Sequence, residues 1–199
     1  MKTLSISLLL CLSGNQIYAQ YGGYSNSGST NYLGAGSSQG VFSDITYNDG
    51  SITSSASAIV YFLGSTPNTQ HQLLSSLGTA TATQIGNAIL QNGTGGLFID
   101  NASTGMEIVT NFNFNGQNGQ VTTLRDASSV ANNNMHIDAN ATISGSNVTN
   151  NVNGYVKKDG DAAGFTFPLA DGTVYAPATV SALGIGNAIV AAYYNSSPN

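Results

Sequence analysis

Apolar residues in this chain fall into short beads, each closed by Asn, Gly or Ser. The clearest run is GLFIDNASTGMEIVTNFNFNGQNGQVTTLRD, residues 96–126. Leu97 and Ile99 fall on one side of an extended segment and Phe98 on the other. Met106, Ile108 and Thr110 alternate with Glu107, Val109 and Asn111, and then Phe112 and Phe114 alternate with Asn111, Asn113 and Asn115. A period of two is the signature of a strand with one buried face. The segments Asn101 to Gly105 and Gly116-Gln117-Asn118-Gly119 carry turn residues between these strands.

The same grammar extends in both directions. Phe42, Ile45 and Tyr47 precede Asn48-Asp49-Gly50, a turn signal, and Ser51 to Ser57 follows as a polar strand. Ala58 to Leu63 is a continuous apolar bead, the pattern of a strand buried on both faces. Leu73, Leu74 and Leu77 have the spacing of one helical turn, with no cap or length for a long helix. Ile85, Ala88 and Ile89 form the next bead; its pentapeptide Ile-Gly-Asn-Ala-Ile recurs at 185–189, and two copies do not define a repeat length. Met135, Ile137, Ala139 and Ala141 alternate with His136, Asp138 and Asn140, which turns His136 outward; Ile143, Val148 and Val152 follow, spaced by Gly and Asn.

After residue 152 the character changes. Tyr155-Val156, Phe165-Thr166-Phe167, Val174 to Val180 and Ala188 to Tyr194 read as strands. Lys157 to Asp161 reads as a charged turn, and Pro168 and Asp171-Gly172 mark another. The pattern therefore predicts an all-β chain: a parallel β-helix or solenoid-like array over 41–152, then a small β-rich module over 153–199. A β-sandwich has similar strand spacing and is the alternative.

Composition narrows the functional class. Asp and Glu number nine against four Lys and Arg, for a formal charge of −5. So few cations argue against a phosphate-tracking groove and hence against nucleic acid. Residues 1–19 read as an export signal: Lys2 as the basic region, Leu4 to Leu12 as an apolar region too short to span a bilayer, and cleavage between Ala19 and Gln20. The only cysteine, Cys11, lies inside that segment, so the mature chain relies on packing and backbone ladders rather than disulfides. No later segment has the roughly 20 apolar residues of a membrane helix. Residues 20–40 form a Gly/Ser/Tyr-rich flexible lead-in whose Tyr21, Tyr24 and Tyr32 either pack on the first strand or stack on a sugar.

The order AIVYFLGS (58–65), LFIDNASTGMEI (97–108), NFNFNGQNGQVTT (111–123) and, above all, NGYVKKDGDAAGFTFPLADGTVYAP (153–177) resembles the secreted repeat-type surface proteins of Bacteroidetes, many of them exported by the type IX route. The resemblance covers roughly residues 58–182 and rests on the Gly-Tyr-Val start, the basic pair, Phe-x-Phe-Pro, a Gly turn and Tyr-x-Pro. It implies a right-handed β-helix-like array followed by a β-rich junction module on a cell-surface or secreted protein. It carries no catalytic residues. Members are usually longer and end in a sorting domain that this sequence lacks, so either a truncated member or fragment, or a different export route, is expected.

Candidate chemistry is sparse. Asp159-Gly160-Asp161 opens like a calcium loop, but Ala163 and Ala170 stand where oxygen ligands are needed, so it is not an EF-hand. A solvated turn is the simpler reading, and a loose calcium site would use Asp159, Asp161 and Asp171. Glu107, Asp126 and Asp138 are scattered carboxylates and Arg125 is the lone arginine; a polysaccharide-active enzyme would need them to converge. His71 and His136 have no Gly-x-Ser-x-Gly elbow to serve. Five Asn-x-Ser/Thr triplets, at Asn92, Asn101, Asn140, Asn147 and Asn195, follow from composition. The expectation is an exported, non-catalytic structural or adhesive surface segment, whose partners are extracellular polysaccharide or other surface proteins. A glycan-binding module using Tyr residues and an Asn/Thr-rich strand face is the alternative.

Overall fold

A computed structural model describes residues 16–18, 24–27, 30–41, 45–48, 51–63, 72–77, 83–91, 95–100, 106–115, 119–125, 134–160 and 163–195. These residues form strands and turns and contain no helix. In chain order the strands are β1 (Gln16–Tyr18), β2 (Tyr24–Ser27), β3 (Thr30–Leu33), β4 (Ser38–Val41), β5 (Ile45–Asn48), β6 (Ser51–Ser54), β7 (Ile59–Phe62), β8 (Gln72–Leu77), β9 (Thr83–Leu90) and β10 (Leu97–Asp100). Then come β11 (Met106–Asn113), β12 (Val121–Thr123), β13 (Met135–Ile137), β14 (Thr142–Ser144), β15 (Val152–Asn153), β16 (Val156–Asp159), β17 (Phe165–Phe167), β18 (Leu169–Asp171), β19 (Val174–Tyr175), β20 (Ala178–Val180) and β21 (Ala188–Ala191).

Two large sheets take most of these strands. The first has 11, along the path β1-β4-β7-β9-β11-β13-β16-β21, with β3, β6 and β14 paired alongside. The second has eight, in the order β19-β18-β15-β12-β10-β8-β5-β2. The chain alternates between them, and each visit up to β16 and β18 adds a strand parallel to the one laid down before it. The long strands β9 and β11 each do the work of two short ones. The first half of β9 pairs with β6 and the second half with β7.

Parallel pairing in register stacks like on like. Val60, Ala88, Phe112 and Ile143 form one inward row, with small Ala88 between two larger side chains. Ile85, Ile108 and Ile137 form a second, and Leu97, Val121, Val152 and Leu169 a third from the facing sheet. Nearly all of these are fully buried in one core that also holds Phe62, Leu90 and Phe114. Burying each large side chain contributes roughly 1.5–3 kcal/mol. Phe112 and Phe114 meet edge to face with ring centres 5.0 Å apart, a favourable aromatic geometry.

The corners explain the small residues. At Gly86 an added Cβ would overlap the Ser55 carbonyl, and the Gly86 N–H donates to Ser54 Oγ at 2.6 Å. Opposite this point β11 carries an irregularity: its register against β9 shifts between Ile108 and Asn111. Thr110 uses the extra length to donate to the Ala56 carbonyl at 2.9 Å. Gly96 enters β10 at φ 77°, facing the Gln120 backbone, where a side chain would be both strained and blocked.

Toward the C-terminus the pairing changes sense. β16 pairs with β21, β18 with β19 and β17 with β20, all antiparallel. The change falls within 153–199, where the composition shifts, although β13–β16 and β15–β18 carry parallel pairing past Val152. At the other end, β3 and β4 fall within or against the 20–40 segment and pair forward with β6 and β7.

Several local expectations are corrected. Residues 72–77 form a strand rather than a helical turn, because β5 and β10 pair with its backbone on both sides. Lys157 and Lys158 lie in β16 rather than in a turn, held between β13 and β21. The Ala58 to Leu63 bead is buried on one face only: Val60 and Phe62 are inside while Ile59 and Tyr61 are half-buried. The strands flanking Asn48-Asp49-Gly50 do not pair with each other; β5 and β6 belong to different sheets. The dominance of parallel pairs also departs from the antiparallel sheets of the sandwich alternative. Among the described residues no helix is long and apolar enough to cross a membrane.

Candidate functional site

Strand alternation puts every second side chain outside, and parallel register lines those side chains up across strands. On the first sheet this makes one continuous outward row: Tyr32, Thr53, Gln84, Glu107, His136 and Lys157. Neighbours in such a row sit about 4.8 Å apart. Its side chains run from aromatic through amide and acid to His and Lys. Tyr32 is 67% exposed and the rest are half-buried.

The row is knitted laterally. Gln84 Nε2 donates to Glu107 Oε2 at 2.7 Å. His136 Nε2 donates to Asp159 Oδ2 at 2.9 Å, and Lys157 Nζ lies 3.4 Å from Asp159 Oδ1. Burial alone would raise the Asp159 pKa, but the hydrogen bond from His136 and the neighbouring charges of His136 and Lys157 outweigh it. The carboxyl is held below its ordinary range.

A second outward surface lies beside the first. Ile59, Asn87, Asn111 and Thr142 form one row, and Tyr61, Ile89, Asn113 and Ser144 the next. Asn111 Oδ1 accepts from Thr142 Oγ1 at 2.8 Å, and Asn87 Nδ2 donates to the carbonyls of Ala56 at 2.8 Å and Ala58 at 3.2 Å. The result is a band of amides and hydroxyls with one tyrosine and two isoleucines, partly pre-set by contacts between adjacent strands.

The carboxylates considered for catalysis are not brought together. Glu107 faces Gln84, and Asp138 accepts from the Ala139 N–H at 2.6 Å within its own turn. Asp126 and His71 lie outside the described residues. For calcium, Asp159 and Asp171 sit in different sheets, each beside a cation, and Asp161 lies outside the described residues. Among the described residues no group of three or more His, Cys, Asp or Glu is placed to hold a metal ion. The cleavage position at Ala19 and Gln20, and the triplets at Asn92 and Asn101, also lie outside them. Asn140, Asn147 and Asn195 are exposed; the Asn147 side chain closes its own turn, accepting from the Thr149 N–H at 2.8 Å.

Two arrangements carry no clear sequence signal. Arg125 is a hub: Nη2 donates to Asn153 Oδ1 and to the Ala170 carbonyl, both at 2.6 Å, and Nη1 to the Tyr193 carbonyl at 2.8 Å. Its guanidinium also lies over the Tyr194 ring, 4.8 Å from the centre, and 3.7 Å from Asp171. Burial, together with the Tyr155 hydroxyl 2.7 Å away, pushes the Tyr194 phenol up. The second is Lys158, buried at 1% exposure in line with Ile85, Ile108 and Ile137. Reading 156–159 as a strand rather than a charged turn is the one signal that would have divided the basic pair, one inside and one outside.

Comparison with protein-family models, with curated proteins and with solved structures found no match.

Proposed function

We propose that this chain is an exported structural or adhesive surface module, built as a right-handed parallel β-helix with an antiparallel cap and akin to the Bacteroidetes surface proteins it resembles. The observation that carries this reading is the pair of outward bands. Successive strands stack in register, so Tyr32 to Lys157 and Asn87 to Thr142 form extended outward rows, bonded laterally at Gln84–Glu107, His136–Asp159 and Asn111–Thr142. A coil of this kind adds surface area with each turn and spaces whatever it displays. Right-handedness follows from the general preference for right-handed crossovers between parallel strands. Glu107, Asp138, Asp159 and Asp171 each have a structural partner, which favours a binding surface over acid–base chemistry.

A glycan ligand is the second reading. The Asn87, Asn111 and Thr142 row beside Tyr61 supports it, because amides, hydroxyls and an aromatic face suit sugar hydroxyls and ring faces.

Retention of the purified chain on insoluble polysaccharides and on intact cells separates the readings. Retention on one polysaccharide, lost in Asn111→Ala with the fold intact, supports glycan binding. Retention on cells alone, reduced by Glu107→Ala with Lys157→Ala, supports adhesion. No retention on either surface sinks the adhesive and the glycan readings.

A further inference from the structure

The segment after β21 is held from three sides. The Tyr193 carbonyl accepts from Arg125 Nη1 at 2.8 Å, and the Asn195 N–H donates to Asp171 Oδ2 at 2.8 Å. Between them, the Tyr194 hydroxyl shares a hydrogen bond of 2.7 Å with the Tyr155 hydroxyl. Tyr155 is itself fixed, in the link between β15 and β16. Its N–H donates to Thr123 Oγ1 at 2.8 Å, and its carbonyl accepts from the Met135 N–H at 3.1 Å. The Arg125 guanidinium lies over the Tyr194 ring, 4.8 Å from its centre, and limits how that ring can turn.

The two rings meet by their hydroxyl ends. Their centres are 6.4 Å apart with the planes at 68°, closer than two phenols set end to end, so the rings lean together. The Cε carbons beside each hydroxyl therefore lie at the contact. Those carbons share with the oxygen the unpaired electron of an oxidised phenol. Neither residue is sealed from solvent, since both are half-buried. Among the described residues no other two tyrosine rings are in contact. Reactive carbons held side by side before any oxidation have a high effective concentration for each other.

We propose that Tyr155 and Tyr194 form an oxidative cross-linking site, at which a peroxide-driven one-electron oxidant joins a Cε of one ring to a Cε of the other. Each phenol gives up one electron and its hydroxyl proton. The two phenoxyl radicals pair their electrons in a new Cε–Cε bond. The hydrogen on each of these carbons then moves to oxygen and restores both phenols. Hydrogen peroxide takes up the two electrons and two protons and leaves as two water molecules. The bond closes the chain between residues 155 and 194 and fastens the segment after β21 to the coil. Cys11 is the only cysteine, so no disulfide within the chain can do this. Such a closed loop stabilises chiefly by restricting the unfolded chain, as a disulfide does. This assignment is independent of whether the outer bands bind glycans or surfaces.

The test treats the intact chain with a haem peroxidase and hydrogen peroxide over a dilution series, then maps the digested monomer by mass spectrometry. A peptide pair joined through Tyr155 and Tyr194, two hydrogens lighter than its parts, is expected, with a yield that does not fall on dilution. Tyr155→Phe and Tyr194→Phe, each shown to be folded by its melting curve, are expected to lower the dityrosine fluorescence of the monomer by about tenfold or more. A monomer without that peptide pair, or one in which other tyrosines link as readily, overturns the proposal. Fluorescence that either variant leaves unchanged overturns it too. Where a Phe variant fails to fold, the peptide map of the parent chain decides alone.

Discussion

The ammonium of Lys158 lies 2.8 Å from the carbonyl oxygen of Asp138, at the end of a row that earlier strands fill with Ile85, Ile108 and Ile137. It also donates to the carbonyls of Ala139 and of Asp159, the latter at 3.0 Å, and sits 5.4 Å from the centre of the Phe165 ring. Parallel stacking stops at this level on the first sheet. The Asp138 carbonyl accepts from the Ala141 N–H as well, at 3.0 Å, and the lysine adds its donors to both carbonyls of the Asp138–Ala139 corner.

Lys158→Met keeps the length and loses the donor. The Ala139 carbonyl loses this donor while the Asp138 carbonyl keeps the Ala141 N–H, so a loss of about 1–3 kcal/mol is expected. Urea denaturation measures it, and a variant as stable as the parent would show that the ammonium is not a cap.

Asp159 sets an acid limit. Its pKa is held below the ordinary range by His136 and Lys157 against the effect of burial. A depressed carboxyl stabilises the fold above its unfolded pKa of about 3.9, and that contribution is lost as the pH falls through the folded value. Both partners are partly exposed, so the effect is small, about 0.5 kcal/mol. Asp159→Asn should lower stability slightly at pH 7 and leave it unchanged well below the folded pKa. Melting curves of the two proteins across pH 2 to 7 check this; a gap that widens on acidification contradicts the assignment.

Glycine replacements should divide by site. Gly34 has open space around it and no positive φ, so Gly34→Ala is expected to be neutral or to stabilise by about 0.4–1 kcal/mol through the unfolded chain. Gly96 has both a positive φ and the Gln120 backbone in the way, so Gly96→Ala should cost about 2 kcal/mol or more. Equal melting temperatures for the two variants would mean that the Gly96 corner is not close-packed.

Arg125 ties the ends of β12, β15 and β18 to the segment around Tyr193 and Tyr194. Arg125→Met should free that segment before it unfolds the core. Limited proteolysis is expected to cut after Tyr193 or Tyr194 at least about tenfold faster, with a stability loss of roughly 1–3 kcal/mol. Unchanged cleavage would remove Arg125 as the anchor.

Part of this architecture is legible without coordinates. Alternation alone identifies the buried sides of Leu97 and Ile99, of Met106 and Ile108, and of Phe112 and Phe114, because a period of two admits only one inward set. It also turns His136 outward. The outward row from Tyr32 to Lys157 was not legible, since its members come from six separate strands and meet only through register. Register depends on where each loop returns the chain, and loops of unequal length leave no fixed period in the sequence.

The chain's own residues determine that it is β-rich, where its strands alternate, and that its character changes near residue 152. Each of these depends on neighbours in sequence. Tertiary structure decided which strands pair, the burial of Lys158, and the fate of Ile-Gly-Asn-Ala-Ile. At 85–89 that pentapeptide lies within β9, flanked by β6, β7 and β11. At 185–189 it forms a turn, with Gly186 at φ 83°, before entering β21. The same five residues adopt two conformations because the first copy has strands on both sides to satisfy its backbone, whereas the second lies at the sheet's end, where the chain must turn back to pair with β16.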